Sequence, residues 1–313
     1  EDLMGSANFG DPVKIVAAIR DHHVTHMFGS PALLNRLSRY LAARGERLDA
    51  IKRVMTAGAP VPTAVLARMR TALPADADIF TPYGATEALP IASIESREIL
   101  AETADQTRRG AGICVGRPLP EIDARIIAID DAPIAAMDAD QPLPVGDVGE
   151  ICVRGPVVTT EYFRKPEGTA RAKIRDGATI WHRMGDVGYL DSGGRLWFCG
   201  RKAHRVQTAH GVRFTICVEA IINEHPAILR SALVGIGAPP AQIPVLCVEL
   251  EAPARRADPA QLRREILARC AEHELTRDIA HVLFHPAFPV DVRHNAKIFR
   301  EQLAVWAARR IQP

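Results

Sequence analysis

Short apolar runs alternate with longer amphipathic stretches over the first third of the chain. The short runs predict strands at 24–28, 51–55 and 79–83, and the longer stretches predict helices between them. Two helices are expected to begin at Asp11-Pro12 and Ser30-Pro31, because a capping side chain followed by Pro is typical of a first helical turn. Alternating strands and helices predict a parallel sheet with helical crossovers.

The pattern changes after about residue 112 and again after residue 200. We therefore expect an α/β protein with a larger domain at 1–200, divided into an α/β part at 1–112 and an antiparallel, β-rich part at 113–200. A small α+β domain is expected at 201–313, with the boundary near Arg201. Its predicted elements are strands at 204–208, 212–215, 231–236, 245–250 and 281–284, and helices at 217–224, 259–273 and 298–309.

A hairpin is predicted inside the β-rich part. Two apolar runs, 187–190 and 196–199, are joined by Asp191-Ser-Gly-Gly194, and Gly reaches the positive φ of tight turns without steric cost. The two outer ends of an antiparallel hairpin meet, so Asp186 and Arg201 should lie side by side. A carboxylate beside a guanidinium suits a polyhydroxylated ligand, and a purely structural ion pair is the alternative.

Two loops that follow predicted strands carry further candidate residues. Ligands in open α/β sheets bind at the carboxyl ends of strands. The small-residue loop 57–60 would allow close approach of a flat ligand, or it is a plain turn. In the loop 81–87, Tyr83 offers a ring, Gly84 a close approach, and Thr86 and Glu87 hard oxygen atoms. Such oxygens suit a Mg²⁺–phosphate contact; the alternative is a helix start with Thr86 as cap and Glu87 in its first turn.

Composition narrows the class of protein. A chain of 313 residues exceeds the ~250 residues beyond which a single core tends to divide. The formal net charge of +2 gives no argument for a nucleic-acid partner or an anionic membrane. Six widely spaced cysteines without a Cys-x-x-Cys pair favour a reducing compartment over a zinc site or a disulfide framework. No apolar run reaches the ~20 residues of a membrane span, and we predict a cytoplasmic protein.

Lys297 completes a series of motifs. It follows a loop and precedes a predicted helix, and a solvated charge is the alternative reading. Taken in order, Tyr83-Gly-Ala-Thr-Glu87, Gly149-Glu-Ile-Cys-Val-Arg-Gly155, Gly185-Asp186, Gly200-Arg201 and Lys297 resemble the adenylate-forming superfamily of acyl-CoA ligases, peptide-synthetase adenylation domains and luciferases. The resemblance extends from about residue 11 to residue 309.

Two segments resemble one branch of that superfamily. Trp197-Phe-Cys-Gly-Arg-Lys-Ala-His-Arg-Val206 and Val292-Arg-His-Asn-Ala-Lys-Ile-Phe-Arg-Glu301 are similar to the OleC-type β-lactone synthetases of bacterial long-chain olefin synthesis. The resemblance implies ATP-dependent activation of a long-chain 3-hydroxy fatty acid as acyl-AMP, followed by closure to a β-lactone with release of AMP. The alternatives are an AMP-forming fatty acyl-CoA ligase and a nucleotide- or acyl-binding remnant without turnover. Other olefin-pathway enzymes are candidate partners.

The resemblance also implies roles for single residues. ATP and Mg²⁺ would be the cofactors, with Glu87 as the metal ligand and Thr86 at the α-phosphate. Lys297 would bridge the substrate carboxylate and the nucleotide, and Asp186 would accept from the ribose hydroxyls while Arg201 supports the sugar. The remaining nucleotide-binding candidates are Gly58, Ala59 and Pro60, which would line the adenine and acyl pocket, Tyr83, which would pack on adenine, and Gly84.

Several positions depart from the superfamily pattern. The hinge normally reads Gly-Arg-x-Asp. Here Arg201 is followed by Lys202, and Ala203 stands in the place of the Asp. The next residue, His204, is a candidate base. The loop 210–219 lacks the usual Tyr and Pro, and Ala296 replaces the usual Gly. The loop 210–219 serves the CoA-dependent step in the ligases, so its divergence puts thioester formation in doubt. The Ser/Thr/Gly-rich phosphate loop of the superfamily is not found, and we expect these residues to be the C-terminal part of a longer protein.

Overall fold

A computed structural model describes residues 10–138, 142–291 and 297–311. The first part alternates helices and strands as expected: α1 (Pro12–Asp21), β1 (His26–Gly29), α2 (Pro31–Arg44), β2 (Arg53–Thr56), α3 (Thr63–Ala72) and β3 (Asp78–Ala85). The side chains of Asp11 and Ser30 accept from backbone amides in the first turns of α1 and α2. The predicted caps are confirmed, and β1, β2 and β3 pair in parallel.

The antiparallel part continues the same sheet. It contains β4 (Ala88–Glu95), α4 (Ser96–Glu98), α5 (Ala104–Arg108), β5 (Ile113–Pro118), β6 (Asp123–Ile127), β7 (Gly149–Arg154), α6 (Pro166–Ala172), β8 (Lys173–Asp176), β9 (Thr179–Leu190) and β10 (Leu196–Arg201). The strand order is β1-β2-β3-β4-β5-β10-β9-β7-β6, and β8 pairs with β9. Because β4 is antiparallel to both β3 and β5, it joins the parallel and antiparallel regions into one ten-stranded sheet.

The last region forms two further sheets. Its elements are β11 (Val206–Thr208), β12 (Gly211–Arg213), α7 (Thr215–Ile222), β13 (Ile228–Ile236), β14 (Ile243–Leu250), α8 (Pro259–Ala271), β15 (His281–Phe284) and α9 (Arg300–Ala308). Two predicted helix starts are corrected. The first helix begins earlier, at Thr215, and the last begins later, at Arg300, because Ile298 forms a bridge to Val290.

Apolar side chains form separate clusters in these regions. One cluster lies between α1–α3 and the parallel strands, and includes Leu34, Leu66 and Ile79. Another fills the last region around Leu246 and Ile266. Separate cores agree with a domain boundary near residue 201, which stays a prediction. All six cysteines are free and buried, and no helix among the described residues is long and apolar enough to cross a membrane.

Candidate functional site

The predicted hairpin places Asp186 directly beside Arg201. Strands β9 and β10 are antiparallel, and their register pairs these two residues. The Arg201 guanidinium donates from Nη1 to Oδ1 of Asp186 at 2.8 Å and to the carbonyl of Met184 at 3.2 Å. The expected juxtaposition is confirmed, and it presents a carboxylate and a guanidinium at one end of the hairpin.

Tyr83 reaches the same carboxylate from β3. Its hydroxyl donates to Oδ2 of Asp186 at 2.6 Å, and its ring lies 5.9 Å from that of Phe198, tilted by 42°. Burial, followed by the nearby Asp186 carboxylate, raises the pKa of Tyr83 well above its ordinary value. Burial also raises the pKa of Asp186, an effect that Arg201 and Tyr83 reduce but do not cancel. Sequence reasoning gave Tyr83 a stacking role and missed this hydrogen bond.

The structure corrects the interpretation of Thr86-Glu87 as a helix start. These residues do not begin a helix; they form the turn of the β3–β4 hairpin. Gly84 explains the tightness of this hairpin, because a Cβ there would lie 2.5 Å from the carbonyl oxygen of Ala88. The close approach for which Gly84 was singled out is therefore made to the chain's own backbone. Thr86 is exposed and Glu87 is partly buried.

Glu87 is held by neighbouring groups. Tyr162 donates its hydroxyl to Oε1 of Glu87 at 2.8 Å, and the amide of Thr159 donates to the Glu87 carbonyl at 2.9 Å. Burial acts to raise the pKa of Glu87, but the Tyr162 hydrogen bond and the nearby His182 and Lys173 outweigh it, and the net pKa is lowered. The carboxylate is therefore kept ionised, as a metal ligand requires.

Glu87 and Arg201 line one cavity of about 200 Å³. Among the described residues no group of three or more His, Cys, Asp or Glu could hold a metal by itself. The single carboxylate of Glu87 fits Mg²⁺, which usually binds one or two carboxylates and takes its other ligands from phosphates and water. The remaining lining residues are Ala85, Glu150, Tyr162, Arg171, Ala172, His182, Arg183, Met184, Gly185 and Lys202.

Sequence reasoning missed several buried ionisable residues: Glu150 and His182, which line the cavity, and Lys173, the register partner of His182. Lys173 and His182 face each other across β8 and β9. Burial lowers the pKa of Lys173 to about 8, and burial together with Lys173 lowers that of His182 to about 4. Glu150 lies in the Gly149–Gly155 motif, but no role was assigned to it. The available signal was the presence of charged side chains inside otherwise apolar strands, since such residues are rarely buried without a partner.

The loop 57–60 occupies the expected edge of the sheet. It follows β2, and Gly58 adopts a φ of 95°. The neighbouring parallel strand β3 ends at Ala85. Gly58, Ala59 and Pro60 therefore leave the same edge of the sheet as the β3–β4 turn, although they are not part of the cavity lining.

The structure does not bring the remaining candidates into the cavity. Lys297 is exposed, and its carbonyl accepts from the amide of Asp291 at 2.9 Å. His204 lies with Ala203 in a short 3₁₀ turn, and its Nε2 is 3.2 Å from Oε1 of Glu301. Burial and the charge of Arg300 lower the pKa of His204. Residues 292–296, including Ala296, lie outside the described residues.

Comparisons with solved structures identify the fold. The structure of amide bond synthetase McbA from Marinactinospora thermotolerans matches with a TM-score of 0.75 at 27% identity, over 95% of this chain and 55% of that one. O-succinylbenzoate coenzyme A synthetase (MenE) from Bacillus subtilis, in complex with ATP and magnesium ion, matches with a TM-score of 0.71 at 21% identity, over 93% and 54%. The fold is that of adenylate-forming enzymes.

The family follows from the sequence comparison. A family model described as AMP-binding enzyme matches residues 3–163, just over half of the chain. The chain belongs to the AMP-binding enzyme family. It is 52% identical over 307 residues to an olefin beta-lactone synthetase of Stenotrophomonas maltophilia, and 50% identical over 304 residues to one of Xanthomonas campestris. Each alignment covers 96% of this chain and 54% of the relative, so the chain spans about half the length of these curated relatives.

Proposed function

We propose that this chain provides the ribose- and metal-binding part of an enzyme that activates a carboxylic acid with ATP. The observation that carries this proposal is the Asp186–Arg201 pair, which lies at one end of a hairpin whose residues line a cavity with Glu87. Asp186 would accept hydrogen bonds from the ribose hydroxyls, and Arg201 would support the sugar. Glu87 would hold Mg²⁺, which supplies charge screening for the phosphates when bound.

The proposed substrate is a long-chain 3-hydroxy fatty acid. Support comes from the two relatives named olefin beta-lactone synthetase, at 52% and 50% identity. A carboxylate oxygen of the acid attacks the α-phosphorus of ATP, and pyrophosphate leaves. The 3-hydroxyl oxygen then attacks the activated carbonyl carbon, the carbonyl carbon–phosphate oxygen bond breaks, AMP leaves, and the hydroxyl proton passes to a base or to water. Internal attack needs no CoA, since oriented neighbouring groups reach effective molarities of ~10⁵ M or more.

Lys297 is proposed to act during the first step. The small domain would rotate about residues 201–203 and carry this ammonium to the substrate carboxylate and the nucleotide. Loss of one preorganised charge-stabilising group costs roughly 10²–10³ in rate. We expect Lys297→Ala to slow acid-dependent ATP–pyrophosphate exchange by that factor in the natural full-length protein. Exchange at the wild-type rate would remove this assignment.

The setting proposed for the enzyme is the cytoplasm, with other olefin-pathway enzymes as partners. Six buried free cysteines support a reducing compartment. A second candidate function is that of an AMP-forming acyl-CoA ligase. It is favoured by 31% identity over 228 residues to a 4-chlorobenzoate–CoA ligase of Arthrobacter, which covers 72% of this chain.

Product analysis separates the two functions. The natural full-length protein would be incubated with ATP, Mg²⁺ and a 3-hydroxy fatty acid, with and without CoA, beside the matched acid that lacks the 3-hydroxyl. We expect AMP, pyrophosphate and β-lactone without CoA, and no lactone from the matched acid. Acyl-CoA formation that depends strictly on added CoA would overturn the lactone proposal in favour of the ligase.

A third possibility, a nucleotide- or acyl-binding remnant without turnover, applies to the 313-residue chain on its own. Calorimetry with AMP and a pyrophosphate-release assay with ATP test it on this chain. AMP binding without pyrophosphate release, beside turnover by the natural full-length protein, would assign ligand binding to this part and leave turnover dependent on additional sequence.

A further inference from the structure

Glu150 is a buried carboxylate that the proposed chemistry does not use. It lies on β7, and its side chain is only 1% exposed. One oxygen, Oε2, accepts from Nε of Arg183 at 3.1 Å and Nη2 of Arg183 at 2.6 Å, and from Nζ of Lys202 at 3.1 Å. Two cations, Arg183 within β9 and Lys202 directly after β10, therefore meet at a single atom.

A backbone carbonyl closes this network. The carbonyl of Asp130 accepts from Nζ of Lys202 at 2.8 Å and also from Nη2 of Arg183. Nη1 of Arg183 donates to the carbonyl of Ala132 at 2.6 Å. The two cations thus share two acceptors, and movement of either cation would remove part of the charge compensation of the buried Glu150 carboxylate. Such closed buried networks restrict the positions of their members.

The network lies close to the Asp186–Arg201 pair along both strands of the hairpin. Arg183 precedes Asp186 by three residues on β9, and Lys202 directly follows Arg201 at the end of β10. Fixing Arg183 fixes the strand that carries the carboxylate, and fixing Lys202 fixes the strand end that carries the guanidinium. Glu150 is the one acidic side chain among the described contacts that pairs with both.

We propose that Glu150 is a positioning residue that holds Asp186 and Arg201 in the relative position required to bind the ribose hydroxyls. This inference rests on the proposed nucleotide-binding function. Glu150 does not touch the sugar in this scheme; it acts through Arg183 and Lys202. If Glu150 only stabilised the fold, its replacement would lower the stability of the protein without changing how the site discriminates between sugars.

The test compares two nucleotides that differ only in the ribose hydroxyls. AMP and 2′,3′-dideoxy-AMP would be titrated by calorimetry into the natural full-length protein and its Glu150→Gln variant. We expect AMP affinity to fall roughly 10- to 100-fold, the range typical when a group that orients metal-binding residues is removed. The affinity for the dideoxy nucleotide should change little, so that the preference for AMP is largely lost.

Glu249→Gln is the matched control. Glu249 is also a buried carboxylate, and it accepts from Arg230 at 2.9 Å and from the amide of Phe288 at 2.9 Å. It lies on β14, outside the cavity. This variant should lose stability while keeping the preference for AMP, which separates a general stability effect from a positioning effect.

The possible outcomes are distinct. An unchanged ratio of AMP to dideoxy-AMP affinity in Glu150→Gln would overturn the inference while leaving the proposed function intact. A wild-type protein without any preference for AMP would instead contradict the proposed function. If Glu150→Gln does not fold, Lys202→Gln decides, because it breaks the same network at a partly exposed side chain. Loss of the AMP preference there supports the inference, and its retention overturns it.

Discussion

The β9–β10 hairpin contributes to two ion pairs that differ in their exposure to water. The side chains of Arg183 and Glu150 are 2% and 1% exposed, whereas those of Arg201 and Asp186 are 53% and 6% exposed. Both pairs join an arginine to a carboxylate at close range. In the first pair neither partner can be hydrated. In the second, the arginine can exchange its contact for water or a ligand while the carboxylate stays in place.

This difference predicts which property a substitution in each pair affects most. Removing one partner of a buried pair leaves an uncompensated charge, whereas a partly exposed arginine can be hydrated when its partner is lost. Asp186 also keeps a second contact, the Tyr83 hydroxyl, whichever way Arg201 turns. We therefore expect substitutions in the first pair to reduce stability most, and substitutions in the second to reduce nucleotide affinity most.

The largest expected effect is the loss of stability in Arg183→Met. The substitution leaves Glu150 buried with Lys202 as its remaining cation, and it removes the hydrogen bonds to the carbonyls of Asp130 and Ala132. We expect the free energy of unfolding to fall by about 3–5 kcal/mol, measured by chemical denaturation. The control, Arg117→Met, breaks an exposed pair with Glu98 and should cost about 0–1 kcal/mol. A loss no larger than that of the control would contradict the assigned role of this pair.

His182 is a second buried ionisable side chain, next to Arg183 on β9, and it should make stability depend on pH. Burial, followed by Lys173, lowers its pKa to about 4 in the folded protein, against an ordinary value of about 6.5. Between these values the unfolded state binds more protons, so stability is lost as the pH falls through this range. The contribution reaches about 3 kcal/mol at the acid end.

The measurement is the free energy of unfolding at several pH values for wild type and His182→Gln. The variant should lose stability less steeply between pH 6.5 and pH 4. His22→Gln, which replaces an exposed histidine, serves as the control and should follow the wild type. Parallel curves for wild type and His182→Gln would show that the burial of His182 does not contribute to the pH dependence of stability.

Asp186→Asn tests the more exposed pair. Hydrogen bonds to charged groups contribute about 1.5–3 kcal/mol, so we expect AMP affinity to fall roughly 10- to 100-fold by calorimetry. The free energy of unfolding should change by less than about 1 kcal/mol, because the half-exposed Arg201 can be hydrated. Asp123→Asn, at an exposed carboxylate outside this cavity, should change neither quantity much. A stability loss comparable to that of Arg183→Met would remove the distinction between the two pairs.

The sequence predicted the second pair but not the first, and the reason is physical. The short turn at Asp191–Gly194 predicts the hairpin and brings its outer ends together, and an irregularity between Phe198 and Gly200 shifts the register by one residue so that Arg201 pairs with Asp186. Glu150 instead meets Arg183 and Lys202 across separations of 33 and 52 residues. No local periodicity reports a contact of that kind, because it depends on the placement of β7 next to β9.

The Thr86-Glu87 turn shows the opposite limit of local reasoning. A Thr followed by Glu is a good helix start, yet β4 returns as a strand because it pairs with β3 and β5 at the same time. Those long-range pairings outweigh the local preference. The helices of the first part were predictable because their caps and apolar stripes are encoded within a few residues.

The smallest expected effect concerns the hydrogen bond between Tyr83 and Asp186. Tyr83→Phe keeps the ring beside Phe198 and removes the hydroxyl that donates to Oδ2 of Asp186. Loss of a single hydrogen bond of this kind is worth about 1 kcal/mol, which corresponds to a several-fold weaker AMP affinity. Tyr189→Phe removes a hydroxyl from a ring stacked on Trp197, without touching Asp186, and is the matched control.

The pH dependence of AMP binding provides a second test of the hydrogen bond between Tyr83 and Asp186. Burial raises the pKa of Asp186, and the hydrogen bond from Tyr83 opposes that rise. Without the hydroxyl, the pKa of Asp186 should rise further, so the carboxylate acceptor should be lost at a higher pH as the solution is acidified. Calorimetry with AMP over a pH series should therefore show the acid-side loss of affinity moving to higher pH in Tyr83→Phe but not in Tyr189→Phe. A shift to lower pH, or equal shifts in both variants, would mean that Tyr83 does not keep the Asp186 carboxylate ionised.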